Sequence, residues 1–206
     1  MLARRLLDAV FPPQCGGCNI LGTGLCDGCA RTEPIDVALP TLRVRAFGAY
    51  EGTIRSAVLA VKHGRRDVAE ALGRRVAVLL GPQAVVVPVP TTAGRRRVRG
   101  IDGVALLASA AAADARAVCC RALAHRGDDA QRGRSRGERL AARGRFFCDP
   151  SAVGGRRVTL FDDVCTTGAT LRDCADAVRE AGGVVEDAVV VAVTKSRESW
   201  STAAAS

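Results

Sequence analysis

Aromatic residues are nearly missing from this chain: one Trp, one Tyr and five Phe among 206 residues, or 3%. A core without large rings has to be built from Val, Leu and Ala. Few rings are left on which single-stranded nucleic acid could stack its bases, and no aromatic-rich pocket for a planar base is evident. Long apolar runs are missing as well. None approaches the ~20 residues of a membrane-spanning helix, so membrane insertion is not expected. The first residues, MLARRLLDAVFPPQC, carry two arginines but no clean apolar centre or small-residue cleavage site, and Asp8 and the Pro12-Pro13 pair argue against a signal peptide. They read as a short amphipathic helix stopped by prolines, and a cytoplasmic location is expected.

Lysine is the third scarcity. Only Lys62 and Lys195 occur, yet Lys and Arg together number 30 against 21 Asp and Glu, for a net charge of +9. The positive charge is therefore almost all arginine, whose planar fork grips phosphate oxygens in pairs. An anionic ligand or nucleic acid fits this balance, as does a merely solvated basic surface. What remains is ordinary: 48% apolar and 25% charged residues describe a soluble globular chain, long enough for one domain and a small appendage.

Three segments emerge. Residues 1–35 combine the short helix with a Cys/Gly-rich stretch. Residues 36–196 alternate strand-like and helix-like patterns, and 197–206 form a tail expected to be disordered. Within the middle segment, LRVRAFGAY alternates like a strand. TIRSAVLAVKHG and RDVAEALGRRVAVLL read as helices closed by Gly64 and Gly81. AVVVPVP, RVTLFDD and VEDAVVVAVT read as strands, the first apolar enough to be buried on both faces. GRRRVRG reads as a basic loop and VALLASAAAADARA as a helix. Residues 126–145 read as a long mobile loop. Leu171, Cys174, Val178 and Ala181 recur at helical spacing. The alternation predicts an α/β fold: a parallel sheet flanked by helices, with ligands beyond the C-terminal strand ends.

The stretch VTLFDDVCTTGATL places two carboxylates where a buried strand emerges and follows them with a turn into a helix. Asp162 and Asp163 can accept hydrogen bonds from neighbouring sugar hydroxyls. The turn through Thr166, Thr167, Gly168, Ala169 and Thr170 offers backbone N–H groups, a helix N-terminus and hydroxyls to a phosphate. Each residue alone also fits an ordinary strand end or helix cap. Together the order suits a ribose 5-phosphate.

LFDDVCTTGAT resembles the 5-phosphoribosyl-1-pyrophosphate (PRPP) motif of type I phosphoribosyltransferases. The resemblance implies that Asp162 and Asp163 hold the ribose hydroxyls as the catalytic acids, that Thr166 to Thr170 receive the 5′-phosphate, and that Mg²⁺ accompanies the pyrophosphate.

A second constellation lies upstream. Cys15, Cys18, Cys26 and Cys29 form C-x₂-C-x₇-C-x₂-C, a spacing that can supply four thiolates to a structural zinc ion. Two disulfides or a redox C-x-x-C are the alternatives; the paired motifs without an export signal favour zinc. Such a site has no open coordination position, so its role is structural. Cys119, Cys120, Cys148 and Cys174 read as small apolar residues, and Cys165 as tolerated in the loop rather than nucleophilic. His63 and His125 read as incidental.

A four-cysteine knuckle ahead of a phosphoribosyltransferase-like domain resembles the ComF (ComFC) family, linked to DNA uptake in competent bacteria. AVKHGRR, VVVPVPTTAGRRRVRGID and AQRGRSRGERLAARGRF match segments of that family, the last through Gln131, Ser135, Arg139 and Phe146. Ile101, Asp102, Gly103 and Ala142 depart from its pattern where pyrophosphate or an acceptor is expected.

The resemblance implies a type I phosphoribosyltransferase-like sheet with a small N-terminal zinc knuckle and PRPP as ligand. Single-stranded DNA and competence-machinery proteins become candidate partners. Pro90 to Gly94 reads as a pyrophosphate loop, with Arg95, Arg96, Arg97 and Arg99 around the ligand's second anionic end and the 126–145 arginines as a lid. Two functions stay open: a PRPP-binding protein acting in DNA uptake or nucleotide handling, and an active transferase moving ribose 5-phosphate to a nucleobase or amine.

Overall fold

The computed structural model describes residues 12–126 and 144–194. The expected N-terminal helix, most of the 126–145 lid with Gln131, Ser135, Arg139 and Ala142, and the tail lie outside the described residues, as do the side chains of Arg95 and Arg96.

Six strands form one sheet. Ile35–Leu39 (β1) and Leu42–Ala49 (β2) make an antiparallel hairpin in which Leu39 faces Leu42 across Pro40-Thr41. Val85–Pro88 (β3), Val118–Cys119 (β4), Arg157–Cys165 (β7) and Val184–Val193 (β8) complete the order β1-β2-β8-β7-β3-β4, with every pairing beyond the hairpin parallel. Leu123–His125 (β5) and Phe146–Cys148 (β6) form a separate antiparallel pair.

The helices in chain order are Asp27–Ala30 (α1), Gly52–Lys62 (α2), Arg66–Val76 (α3), Ala93–Arg99 (α4), Gly103–Asp114 (α5), Pro150–Val153 (α6) and Ala169–Glu180 (α7); a 3₁₀ turn at Ala77–Leu79 extends α3. None of the described helices is long and apolar enough to cross a membrane.

Period-two alternation explains the near-continuous apolar strands. On β8, Val189 and Val191 face a core shared with Ile54, Val58, Val68, Leu72 and Leu107 of α2, α3 and α5. Ala188 and Val190 face a second core with Leu171, Cys174 and Val178 of α7 and with Phe146 and Cys148 of β6. A strand buried on both faces has no polar side to show. Pro88 is tolerated because Val89 donates its N–H to Phe161 O at 2.8 Å, which turns Pro88 the other way, past the end of two-residue β4.

One expectation is corrected. GRRRVRG is not a loop: residues 93–99 are helical. Ala and Arg are among the better helix formers, and one Gly in a first turn costs too little to prevent the turn.

The chain leaves β3 toward β4 on one side and leaves β7 toward β8 on the other. The adjacent C-terminal ends of β3 and β7 therefore form the switch point of the sheet, where the two connections part and open a crevice.

Candidate functional site

The crevice holds a cavity of about 770 Å³. Its floor is the end of β7, with Asp162, Asp163, Val164 and Thr166. One wall follows β3 (Val89, Pro90, Thr91, Thr92), and Arg99 reaches it from the end of α4. Lys62 and Tyr50 line the side toward α2, while His125, Arg145 and Phe146 of the β5–β6 pair line the opposite side.

The two acids are not equivalent. Asp163 pairs with Lys62, Nζ to Oδ2 at 3.2 Å. Asp162 accepts the backbone N–H of Asp163 at 2.8 Å. Burial, followed by the neighbouring Asp163 charge, raises Asp162 well above the ordinary carboxylate range, and the Asp163 N–H and Lys62 only partly offset this. The pair thus tends to keep one proton at neutral pH.

Beyond Cys165 the chain turns through Thr166, Thr167 and Gly168 into α7 and encloses a hollow of about 30 Å³, lined also by Ala169 and Thr170. Gly168 has φ 71° and ψ 4°, the left-handed region. A Cβ there would also lie 2.4 Å from Leu39 Cδ1. Ala169 donates its N–H to Thr167 Oγ1 at 3.4 Å. Thr194 N–H to Cys165 O at 3.1 Å pins the loop to the end of β8. Cys165 is buried, and burial, helped by the Asp162 charge, pushes its thiol up to about 11. A thiol so poor in thiolate is no nucleophile.

The expected site residues therefore fall in two adjoining places. Asp162, Asp163, Thr166, Thr170 and Arg99 line the large cavity, and Thr167, Gly168 and Ala169 join Thr166 and Thr170 around the small one. The backbone of Arg95 lies in α4.

Several lining residues had no site role in the sequence reading. His125, read as incidental, lines the cavity and bonds Pro90 O through Nε2 at 2.9 Å. A carbonyl can only accept, so Nε2 carries the proton. Its ring packs on Phe146, 4.7 Å between centroids, and Arg145 lies over the other ring at 5.7 Å while bonding Asp173 at 2.7 Å. Asp102 caps α5 by accepting Ala105 N–H at 3.3 Å, and also holds Thr91 at 3.1 Å and Arg121 at 2.6 Å. Its carboxylate thus fixes the wall after β3.

The cysteine quartet is a second site. The four Sγ atoms lie within 4.8 Å of one another, with Cys15–Cys26 and Cys18–Cys26 both at 3.7 Å and no disulfide between them. Tetrahedral zinc with bonds of about 2.3 Å separates its sulfurs by ~3.8 Å, so the cluster can bind a metal such as zinc. Burial opposes ionisation of Cys15, but N–H groups of Cys26, Cys18 and Gly17 outweigh it and bring its thiol down to about 6. Gly17 and Cys26 donate to that sulfur, each at 3.4 Å. Such N–H donors steady a thiolate ligand. Burial, then the surrounding thiols, pushes Cys29 up; a bound cation would reverse that.

Fold and sites together define an α/β protein with a mostly parallel sheet flanked by helices, a carboxylate pair beside a threonine loop, and a four-cysteine cluster. No known protein-family profile matches the chain. A 39-residue stretch, 19% of this chain and 21% of the relative, is 56% identical to orotate phosphoribosyltransferase of Methanopyrus kandleri (strain AV19). A 44-residue stretch, 21% of this chain and 24% of the relative, is 54% identical to the enzyme of the same name from Nocardioides sp. (strain ATCC BAA-499 / JS614). The match spans less than a quarter of either relative. The chain also overlays glutamine phosphoribosylpyrophosphate amidotransferase from B. subtilis, solved with ADP and GMP, with TM-score 0.45 and 20% identity over 65% of this chain and 30% of that one. About a fifth of the chain is thus related in sequence to part of a phosphoribosyltransferase.

Proposed function

We propose that this chain binds PRPP in the cavity at the ends of β3 and β7, as a phosphoribosyltransferase-like protein of the ComF family acting in the cytoplasm in DNA uptake or related nucleotide handling. Residues 1–35 form its zinc module and 36–196 its ligand-binding domain. The observation that carries this reading is that one continuous strand-loop-helix unit sets a carboxylate pair on the large cavity and a threonine-lined hollow directly beside it. Ribose hydroxyls bond to Asp162 and Asp163. The 5′-phosphate enters the Thr166–Thr170 loop, where N–H groups at the start of α7 and threonine hydroxyls donate to it. Arg99 receives the pyrophosphate. Mg²⁺ supplies charge neutralisation on the pyrophosphate; among the described residues only the cysteine quartet gathers three or more metal-ligating side chains, so protein carboxylates would contribute at most part of an oxygen shell.

Thermal unfolding with Mg²⁺ and PRPP tests this. Saturating ligand at about a hundred times Kd should stabilise the wild type by roughly 2.7 kcal/mol, and Asp162→Asn/Asp163→Asn should abolish the shift. Equal shifts in both proteins would refute the site. Binding of single-stranded DNA that weakens steeply with salt supports the DNA-handling part; salt-indifferent or absent binding removes it.

One observation favours a second reading, an active transferase. Beyond the acids the cavity continues to His125 and Phe146, which leaves space beside the sugar for an acceptor. In that case an acceptor nitrogen attacks C1, pyrophosphate departs toward Arg99, and the walls hold both partners in line. Pyrophosphate release across a panel of nucleobases and amines decides between turnover and binding alone.

A further inference from the structure

We infer that Lys62 is a positioning residue for the sugar end of the cavity: by holding Asp163 it fixes the carboxylate to which a ribose hydroxyl bonds, and it governs affinity for the sugar rather than for the phosphates. The inference rests on the PRPP reading above and deepens it.

Three constraints fix the ammonium. It pairs with Asp163 at 3.2 Å, with side-chain exposures of 26% for Lys62 and 18% for Asp163. It lies 5.9 Å from the centroid of the Tyr50 ring, whose face attracts a cation. It also issues from the last residue of α2, where the helix dipole favours positive charge. A flexible lysine held from three directions acts as part of the scaffold, not as a mobile counter-ion.

The acids need such a partner. Two adjacent carboxylates in a shielded crevice repel one another, and one tends to keep its proton. Pairing with Lys62 holds the Asp163 carboxylate in a fixed direction. The same positive charge opposes proton uptake on Asp162. Among the described residues, the arginines lining the cavity stand elsewhere: Arg99 issues from α4, and Arg145 is tied to Asp173 at 2.7 Å beside Phe146. The phosphates therefore have arginines and the loop to bind, whereas the acid pair has Lys62. In a chain with only two lysines among 30 basic residues, a compact single charge stands where a bidentate fork would compete for both carboxylates.

Isothermal titration of the full chain tests the assignment, with Mg²⁺–PRPP and, separately, Mg²⁺–pyrophosphate as a probe that lacks the sugar. The proteins are wild type, Lys62→Met, Lys62→Arg, Asp163→Asn and the Lys62→Met/Asp163→Asn double variant. Lys62→Met should weaken PRPP about tenfold or more, a loss of roughly 1.4 kcal/mol, and leave pyrophosphate nearly unchanged. Lys62→Arg restores the charge but not the compact geometry and should recover only part of the loss, and the double variant should bind PRPP no more weakly than Asp163→Asn alone. Equal losses for both ligands would show that Lys62 contacts phosphate and overturn the inference. Fully additive losses in the double variant, or unchanged PRPP binding by Lys62→Met, overturn it as well. Failure of the wild type to bind PRPP overturns the PRPP reading and the Lys62 role with it, whereas wild-type binding that Lys62→Met preserves overturns only the latter.

Discussion

At the scale of single residues, the two acids carry opposite assignments although they are neighbours. Asp163 has a cation beside it, and Asp162 has burial and a like charge. This difference has a sign that can be measured. The unfolded chain releases the Asp162 proton near pH 4, as an ordinary carboxyl does, whereas the folded chain holds it until about 8. Between those limits the native state binds more protons than the unfolded state, so this group's contribution to stability falls as pH rises. Asp162→Asn removes the titration. The wild type should lose more thermal stability than Asp162→Asn on going from about pH 5 to about pH 8, as followed by circular dichroism. Parallel slopes would show that Asp162 is an ordinary acid. The acids and threonines were legible in the sequence because strand, loop and helix bring them together along a single stretch. Lys62, Tyr50 and His125 were not, because they reach the cavity only when α2 and the β5–β6 pair are folded against the end of β7.

At the scale of elements, close approach explains several choices that propensity does not. Gly73 lies inside α3, where Ala would ordinarily be better by about 1 kcal/mol. Yet a Cβ at that position would lie 2.5 Å from Leu107 O and 2.8 Å from Ala110 Cβ of α5. Gly73→Ala should therefore destabilise the protein, by about 1–3 kcal/mol as overpacked cores generally do, in a chemical denaturation series. A stabilising effect would mean that α3 and α5 can part without cost.

The helices α2, α3 and α7 and strand β2 were legible from a sustained period, α5 from its run of good helix formers, and β7 and β8 from their apolar, β-branched runs. The elements that were not are short. β1 has five residues between Pro34 and Pro40, too few to show its alternation, and its place is set by pairing with β2. β4, β5 and β6 have two or three residues each and take their form from neighbours. In α4, the run of arginines suggested a solvated loop, but charge says nothing against a helix whose side chains can reach water.

At the scale of the whole molecule, the four-cysteine cluster is built into the same core as the helices. Cys15, Leu25 and Cys29 are buried with Ile54, Ala57, Val58 and Val68. Arg75 pairs with Asp27 of α1, and Arg65 donates to Gln14 O at 2.5 Å. The expected metal is then a contributor to overall stability. Removing it with a chelator, or replacing Cys26 by Ser, should lower the unfolding temperature, and re-adding Zn²⁺ should restore it in the wild type alone. An unchanged midpoint after complete metal removal, verified by elemental analysis, would reduce the cluster to a surface ornament.

One helix touches both sites. At its first turn, Thr53 of α2 donates to Cys29 O at 3.1 Å, and at its last residue Lys62 grips Asp163 at 3.2 Å. Eleven residues make a rod of roughly 16 Å. Its first turn is bonded to the cysteine segment and its last residue to the crevice at the end of β7, so the two sites share one rigid element. Under the proposed reading, disturbing the cysteine end of this helix should weaken PRPP binding at the other end, which titration of the metal-stripped protein with PRPP checks.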